Sequence, residues 1–257
     1  MIFTASQQPV FNDVKENYDC IMDVLDNHKE GWLLTPEGSL SGYCENVVHN
    51  ADPINKKKYF EYLAKLEKRL AQEKINLALG TGHIEADGLP YNQIRYYHQG
   101  ELIGTYAKQL MTHNDNFTGE YTYYIAGTNC NTVLLDEVTQ VGSLICNDAW
   151  AYPPVSPKGN PYLWRTYRQQ GVNIMFVSAN CAMQDYDELV YNWHDTHLRL
   201  MARTFEMHVI VSSACTDMNG ELINHMQCPT GIIGPDGAWI KQCENKGMEA
   251  VSHEIII

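Results

Sequence analysis

The chain has 257 residues, of which 44% are hydrophobic and 19% charged, and its formal net charge is -13. This length and balance fit a packed globular chain and exclude a disordered one. The acidic surplus argues against nucleic-acid partners, which need a basic patch, and mildly favours neutral or cationic small molecules.

The opening stretch MIFTASQQPVFNDVKENYDC has no basic start followed by an apolar run, so no secretory signal is read. No apolar run reaches the roughly 18 residues of a membrane span. The cysteines are Cys20, Cys44, Cys130, Cys146, Cys181, Cys215, Cys228 and Cys243. None form a CxxC pair, which argues against a zinc ribbon or redox dithiol. Without a secretion signal, reduced thiols and a cytoplasmic setting are expected.

No internal repeat, low-complexity tract or linker is present, so a single domain over residues 1–257 is expected. Residues 12–30 place Val14, Tyr18, Ile21, Met22 and Leu25 at helical spacing. GWLLTPE reads as a short buried strand stopped by Pro36. Residues 55–75 form an amphipathic helix with Tyr59, Tyr62, Leu63, Leu66 and Leu70 on one face and a solvated charged face opposite. NLALGTGHIE is a strand and loop. YNQIRYYHQGELIGTYAK alternates and turns at Gln99-Gly100, as a hairpin does. TVLLDEVTQVGSLIC gives two strands, YLWRTYRQQGV a helix and NIMFVSAN a buried strand. ELVYNWHDTHLRLMARTFEM is a long helix, HVIVSSAC a strand, and TGIIGPDGAWIKQC two strands about a Pro-Asp-Gly turn. The alternation predicts an α/β fold with mixed sheets and helices packed outside.

VGSLICNDAW ends a buried strand in Cys146, followed by Asn147, Asp148 and Trp150. A thiol attacks as thiolate, so it needs a depressed pKa or a nearby base. None of the ten histidines sits beside an obvious motif. His194 and His197 lie three apart on one helix, but no Cys or His cluster completes a metal site, so solvent-facing residues and no metal are predicted. The alternative base is a carboxylate. Glu37 stands at the end of GWLLTPE, where α/β folds build pockets. Lys108 ends the second hairpin strand and offers a cation for a thiolate or an oxyanion. Taken singly, Glu37 and Lys108 would be ordinary loop and surface residues.

LLTPEGSLSGY, GELIGTYAKQ and VGSLICNDAW occur in that order, each as a strand followed by a loop. Together they resemble the nitrilase, or carbon–nitrogen hydrolase, superfamily. Gln8, Asn17, Gly80, Asn92, Gly100, GEYTYYIAGTN, ARTFE and TGIIGPDG extend the resemblance over nearly the whole chain. It implies a four-layer α-β-β-α sandwich with two mixed β-sheets, commonly paired into a homodimer or larger even oligomer. It also implies Cys146 as nucleophile, Glu37 as general base and acid, Lys108 as oxyanion stabiliser, and Glu120 as a second glutamate orienting Lys108 or substrate. The backbone N–H of Asn147 would complete the oxyanion hole.

The chemistry is coherent without the family. An amide is a poor electrophile with a poor leaving group. A thiol, a carboxylate and an ammonium supply attack, proton donation and charge stabilisation with no cofactor. Burial would raise the pKa of Glu37, while mutual attraction favours thiolate and ammonium. Tyr43, Tyr121, Tyr123, Asn147, Trp150, Asn180 and Cys181, in loops after the catalytic strands or beside catalytic residues, are candidates to line the pocket. Asp148 is expected to cap the turn that follows it, the alternative being that it binds an amine.

Ala149 and Trp150 stand where many relatives carry an Arg or an aromatic-acid pair, which disfavours a carboxylate-bearing N-carbamoyl substrate. Asp195 and Thr196 replace a frequent His-Trp pair. The short C-terminus after EIII points to amides rather than nitriles, and the lack of spans away from the acyltransferase branch. A cofactor-free hydrolase of a small linear amide or ureide is expected. The alternatives are a nitrile hydrolase, an ammonia-supplying amidase subunit of a synthetase, and a non-catalytic binding protein on the same fold.

Overall fold

The computed structural model describes residues 1–28, 30–43, 53–112, 120–151, 163–180, 182–183, 188–215, 225–226, 228–244 and 247–256. In chain order the elements are β1 (Ile2–Gln7), α1 (Val14–Asn27), β2 (Trp32–Leu34), α2 (Pro53–Glu73), β3 (Asn76–Ile84), β4 (Pro90–His98), β5 (Glu101–Ala107), a 3-10 turn (Glu120–Thr122), β6 (Val133–Leu134) and β7 (Gln140–Ile145). There follow α3 (Asn147–Trp150), α4 (Leu163–Gln169), β8 (Ile174–Ala179), β9 (Ala182–Met183), α5 (Glu188–Phe205), β10 (His208–Ser213), β11 (His225–Met226), β12 (Gly231–Ile233), β13 (Trp239–Gln242) and β14 (Glu249–Glu254).

Two six-stranded mixed sheets form the body, ordered β14-β1-β2-β3-β4-β5 and β13-β12-β10-β8-β7-β6. Their parallel pairs are β1·β2, β2·β3, β7·β8 and β8·β10. Helices cover the outer faces, giving the expected α-β-β-α sandwich. On the first sheet α1 and α2 press Val14, Ile21, Leu25, Tyr59, Leu63, Leu66 and Leu70 onto Leu33, Leu77, Leu79 and Tyr97. Burial of each such side chain contributes roughly 1.5–3 kcal/mol. Asp13 starts α1 by accepting the N–H groups of Lys15 and Glu16, at 2.8 and 3.1 Å.

Between the sheets lies an aromatic layer. Phe176 stands edge-on to Phe3 and stacks on Tyr96, each at 5.8 Å, and Tyr96 meets Trp32 at 6.0 Å. The Tyr96 hydroxyl bonds Ser143 Oγ at 2.6 Å, so this layer has a polar tie from sheet to sheet. The hairpin turn falls at Gln99 and Gly100, whose φ values of 51° and 89° are those of a two-residue primed turn.

Three elements differ from the sequence reading. β1 is an interior strand of the first sheet, buried along nearly its whole length. Its polar Thr4, Ser6 and Gln7 disguise it; Ser6 Oγ, for example, donates to Leu34 O at 2.9 Å inside the fold. Helix α3 is a single turn, too short for any periodicity to reveal. The predicted strand of TVLL contracts to the two residues of β6.

Candidate active site

Each of the principal residues follows a strand end. Glu37 comes three residues after β2, Lys108 directly after β5, Cys146 directly after β7 and Asn180 directly after β8. The first two belong to one sheet and the last two to the other, so the site lies where the sheets meet.

The loop carrying Glu37 is held on β3. Thr35 N donates to Ala78 O at 3.1 Å and Ser39 N to Gly80 O at 2.8 Å. Gly80 N donates to Thr35 Oγ1 at 3.1 Å. A Cβ on Gly80 would lie 2.3 Å from both Pro36 O and Ser178 Oγ, so a side chain there would displace the turn just before Glu37. Lys108 is fixed by its own backbone, its N–H donating to Asn92 O at 2.8 Å and its carbonyl accepting from Gly127 N at 2.7 Å. Glu120 opens the 3-10 turn, and its Oε2 accepts the N–H of Thr112 at 2.7 Å.

These side chains form one buried ionic cluster. Lys108 Nζ donates to Glu37 Oε1 at 2.8 Å and to Glu120 Oε1 at 2.9 Å, and lies 2.7 Å from Glu120 Oε2 as an ion pair. Asn92 Nδ2 donates to Glu37 Oε1 at 2.7 Å and to Glu120 Oε1 at 3.0 Å. The N–H of Asn180 donates to Glu37 Oε2 at 2.9 Å, tying the cluster to the second sheet. Buried ion groups add little or nothing to stability, because desolvation offsets their attraction. Such a cluster beside a thiol is a candidate functional site.

Burial raises the Glu37 carboxyl to about 6, although the Lys108 ammonium pulls it down. Lys108 moves well above its ordinary range. Burial opposes that shift, but the charges of Glu120, Glu37 and Cys146 outweigh it. The cluster therefore holds a permanent ammonium, and a carboxyl group suited to proton transfer near neutral pH.

Cys146 reaches this cluster electrostatically through Lys108. Its backbone, at φ 47° and ψ -109°, is strained for a residue with a side chain. The strain bends the chain sharply from β7 into α3, a strand-to-helix turn of the kind that presents a nucleophile at a sheet edge. Cys146 keeps 8% exposure, whereas Glu37, Lys108 and Glu120 are at 1% or below, so the thiol is the member of the group that a small molecule can meet first.

Asp148 does not cap the turn that follows it. It reaches back and accepts the N–H groups of Gln109, Leu110 and Ile145 at 3.0, 2.6 and 3.1 Å, and the Tyr106 hydroxyl at 2.8 Å. The sharp turn at Cys146 aims this side chain beneath the strand ends, so it braces Lys108's strand against Cys146's. Burial lifts its carboxyl to about 6 against the pull of these donors. Asn147 adds a parallel tie, its Nδ2 donating to Leu110 O at 3.2 Å.

Glu37, Lys108, Glu120 and Asn180 meet in one hydrogen-bonded group, Cys146 acts on it through the charge of Lys108, and Asn147 follows Cys146 at the start of α3. Trp150 instead packs on α5, its ring 4.2 Å from His194 and 6.2 Å from Trp193. His194 and His197 are not solvent-facing. His194 is buried against Trp150, and His197 Nε2 donates to Ala149 O at 3.0 Å, so both pin α3 onto α5. Tyr43 is half-buried at the end of the Glu37 loop, Tyr121 is exposed and Tyr123 half-buried beside Glu120, and Cys181 falls outside the described residues. Asn92 had no chemical role in the sequence reading. Its signal was an inward-facing polar residue in register with Ile94 and Tyr96 on an alternating strand.

The fold is two mixed sheets whose meeting edge carries a thiol, two carboxylates and an ammonium, a candidate hydrolytic site. The carbon-nitrogen hydrolase family model matches residues 4–256, and the chain belongs to that family. Among curated proteins, the glutamine-dependent NAD(+) synthetase of Aquifex aeolicus is 30% identical over 146 residues, covering 55% of this chain and 24% of that protein. The chain thus spans about a quarter of that relative's length. The glutamine-dependent NAD+ synthetase of Acinetobacter baumannii superposes with a TM-score of 0.77 at 16% identity, covering 98% of this chain and 45% of that one. An amidase variant from Nesterenkonia sp. AN1, with the acetamide moiety of fluoroacetamide added covalently at its active site cysteine, superposes at 0.76 and 16% identity over 98% and 89% of the two chains. At these identities the likeness shows the fold. No helix among the described residues is long and apolar enough to cross a membrane.

Proposed function

We propose that the protein hydrolyses the carbon–nitrogen bond of a small linear amide or ureide through a thioester on Cys146. The observation that carries this reading is the buried Glu37–Lys108–Glu120 cluster within electrostatic reach of a strained Cys146. Glu37 takes the Sγ proton, and the thiolate attacks the carbonyl carbon. The oxyanion that forms is met by Lys108 and by the N–H of Asn147 at the first position of α3. Glu37 returns its proton to the departing nitrogen, the C–N bond breaks and a thioester remains. Glu37 then deprotonates water, which attacks the thioester, and its proton restores the thiol as the acid leaves. No cofactor or metal enters these steps.

The donors suit an oxygen-bearing tetrahedral intermediate, so an amide is the better substrate than the matching nitrile. The test is kcat/KM for matched amide and nitrile pairs, together with iodoacetamide labelling. Cys146 should alkylate fastest of the thiols, and the amide should turn over faster. A nitrile that wins in every pair would remove the amidase assignment. The non-catalytic reading would be supported by a Cys146 no faster than the other thiols.

A second reading, ammonia supply to a synthetase, is favoured by the similarity to the two NAD+ synthetases. It is tested by adding L-glutamine to the same panel and by copurification. Assembly as a homodimer or larger even oligomer belongs to the main reading. It is supported by Leu189, Trp193 and Leu200, which α5 leaves exposed. Light scattering that shows only monomer at micromolar concentration would remove it.

A further inference from the structure

Among the described residues, the two carboxylates of the cluster share one ammonium. The groups there that hydrogen-bond to them are donors. Glu37 is met by Lys108 Nζ from the end of β5, by Asn92 Nδ2 from β4 and by the Asn180 N–H from the end of β8. Glu120, in its 3-10 turn, is met by Lys108 Nζ, Asn92 Nδ2 and the Thr112 N–H. Cys146 at the end of β7 and Asp148 on α3 act on the group through Lys108. Among the side chains of the described residues, Asn92 alone joins Lys108 in touching both carboxylates.

The orientation of the Asn92 amide is fixed by this setting. Reversed, its Oδ1 would face two carboxylate oxygens, which repel it. As placed, Oδ1 is buried and has no hydrogen-bond partner among the described residues. A purely structural buried Asn would satisfy both ends. This one gives up its acceptor to place both amide protons on the glutamates. Register enforces the placement, because Asn92 O is the acceptor of the Lys108 N–H and Asn92 lies opposite Gly82 on β3.

We propose that Asn92 is a positioning residue whose amide bridges Glu37 and Glu120, so that both stand as carboxylates beside a single ammonium and Glu37 remains a base at neutral pH. The inference rests on the reading of Cys146 as nucleophile and Glu37 as its base. In agreement, the Asn92 hydrogen bond works against the burial that raises Glu37.

The experiment follows the rate of Cys146 alkylation by iodoacetamide against pH, by peptide mass spectrometry, in the unsubstituted protein and in Asn92→Leu. The probe needs no knowledge of the natural substrate. Losing a donor to a charged group should move the midpoint of the acid limb upward by about one pH unit. A fast Cys146 with an unmoved midpoint in folded Asn92→Leu overturns the role of Asn92. A Cys146 no faster than the other thiols overturns the catalytic reading itself, whatever the variant does. Should Asn92→Leu fail to fold, the unsubstituted protein carrying glutamate labelled with 13C at the carboxyl decides. Two buried carboxylates at alkaline pH support the bridge, and a glutamate of the cluster still protonated there overturns it.

Discussion

At the residue scale, Glu37 shows how burial and pairing are balanced for chemistry. Burial alone would leave it an acid, and Lys108 alone would make it a weak base; together they hold it at about 6. If it is the base of the free enzyme, kcat/KM should fall about tenfold per pH unit below that midpoint. A pH–rate profile with no acid limb near there would remove Glu37 from the rate. Folding stability has the opposite sign. The folded carboxyl lies above its ordinary 4.5, so its contribution is complete below 4.5 and is lost as pH rises through about 6. The ionised state needed for activity is thus the one that strains the fold. Cys146, Glu37 and Lys108 were legible as residue types at strand ends. The backbone strain at Cys146 was not, because the sequence offers no glycine there to announce a positive φ. Asn92 was hidden for another reason: its partners lie 55 and 28 positions away, and only register brings them together.

At the element scale, the hairpin β4–β5 and the strand–turn β7–α3 must meet at a fixed offset, and Asp148 sets it. Periodicity predicted the hairpin and the strand β7. It could not show that an acid two residues past Cys146 turns backwards, since a four-residue helix leaves no pattern and a cap was the nearer partner. Replacing Asp148 by Ala would leave the N–H groups of Gln109, Leu110 and Ile145 buried without their acceptor. Destabilisation on the order of 3 kcal/mol is expected in urea unfolding. The offset between Lys108 and Cys146 should also slip, and displacement on the scale of an ångström can cost about a hundredfold in kcat. Asp148→Asn retains one acceptor oxygen and should lose less of both. An alanine variant with unaltered stability and kcat would show that the brace is idle.

At the scale of the whole molecule, the site is divided between two sheets. Glu37, Asn92 and Lys108 ride on the first and Cys146 and Asn180 on the second, so in the proposed mechanism the geometry of catalysis would depend on how the sheets are spaced. That spacing is set by the layer of Phe3, Trp32, Tyr96 and Phe176. The sequence announced buried strands and outer helices, yet the pairing of sheet with sheet is long-range and β1, which lies at its centre, was masked by polar residues. The layer's role can be separated from ordinary stability by comparing two substitutions. Phe176→Leu keeps an apolar side chain but removes the ring that stacks on Tyr96, and should cost about 1–2 kcal/mol. Leu66→Ala, beneath α2 on the outer face of the first sheet, should cost more, about 2–4 kcal/mol. If sheet spacing governs the chemistry, the milder inter-sheet change should lower kcat more than the harsher outer one, with KM moving little in either. Melting curves and steady-state kinetics on both variants decide. Equal kcat in the two, or a larger loss in Leu66→Ala, would mean that the site is held by its local hydrogen bonds and not by the sandwich.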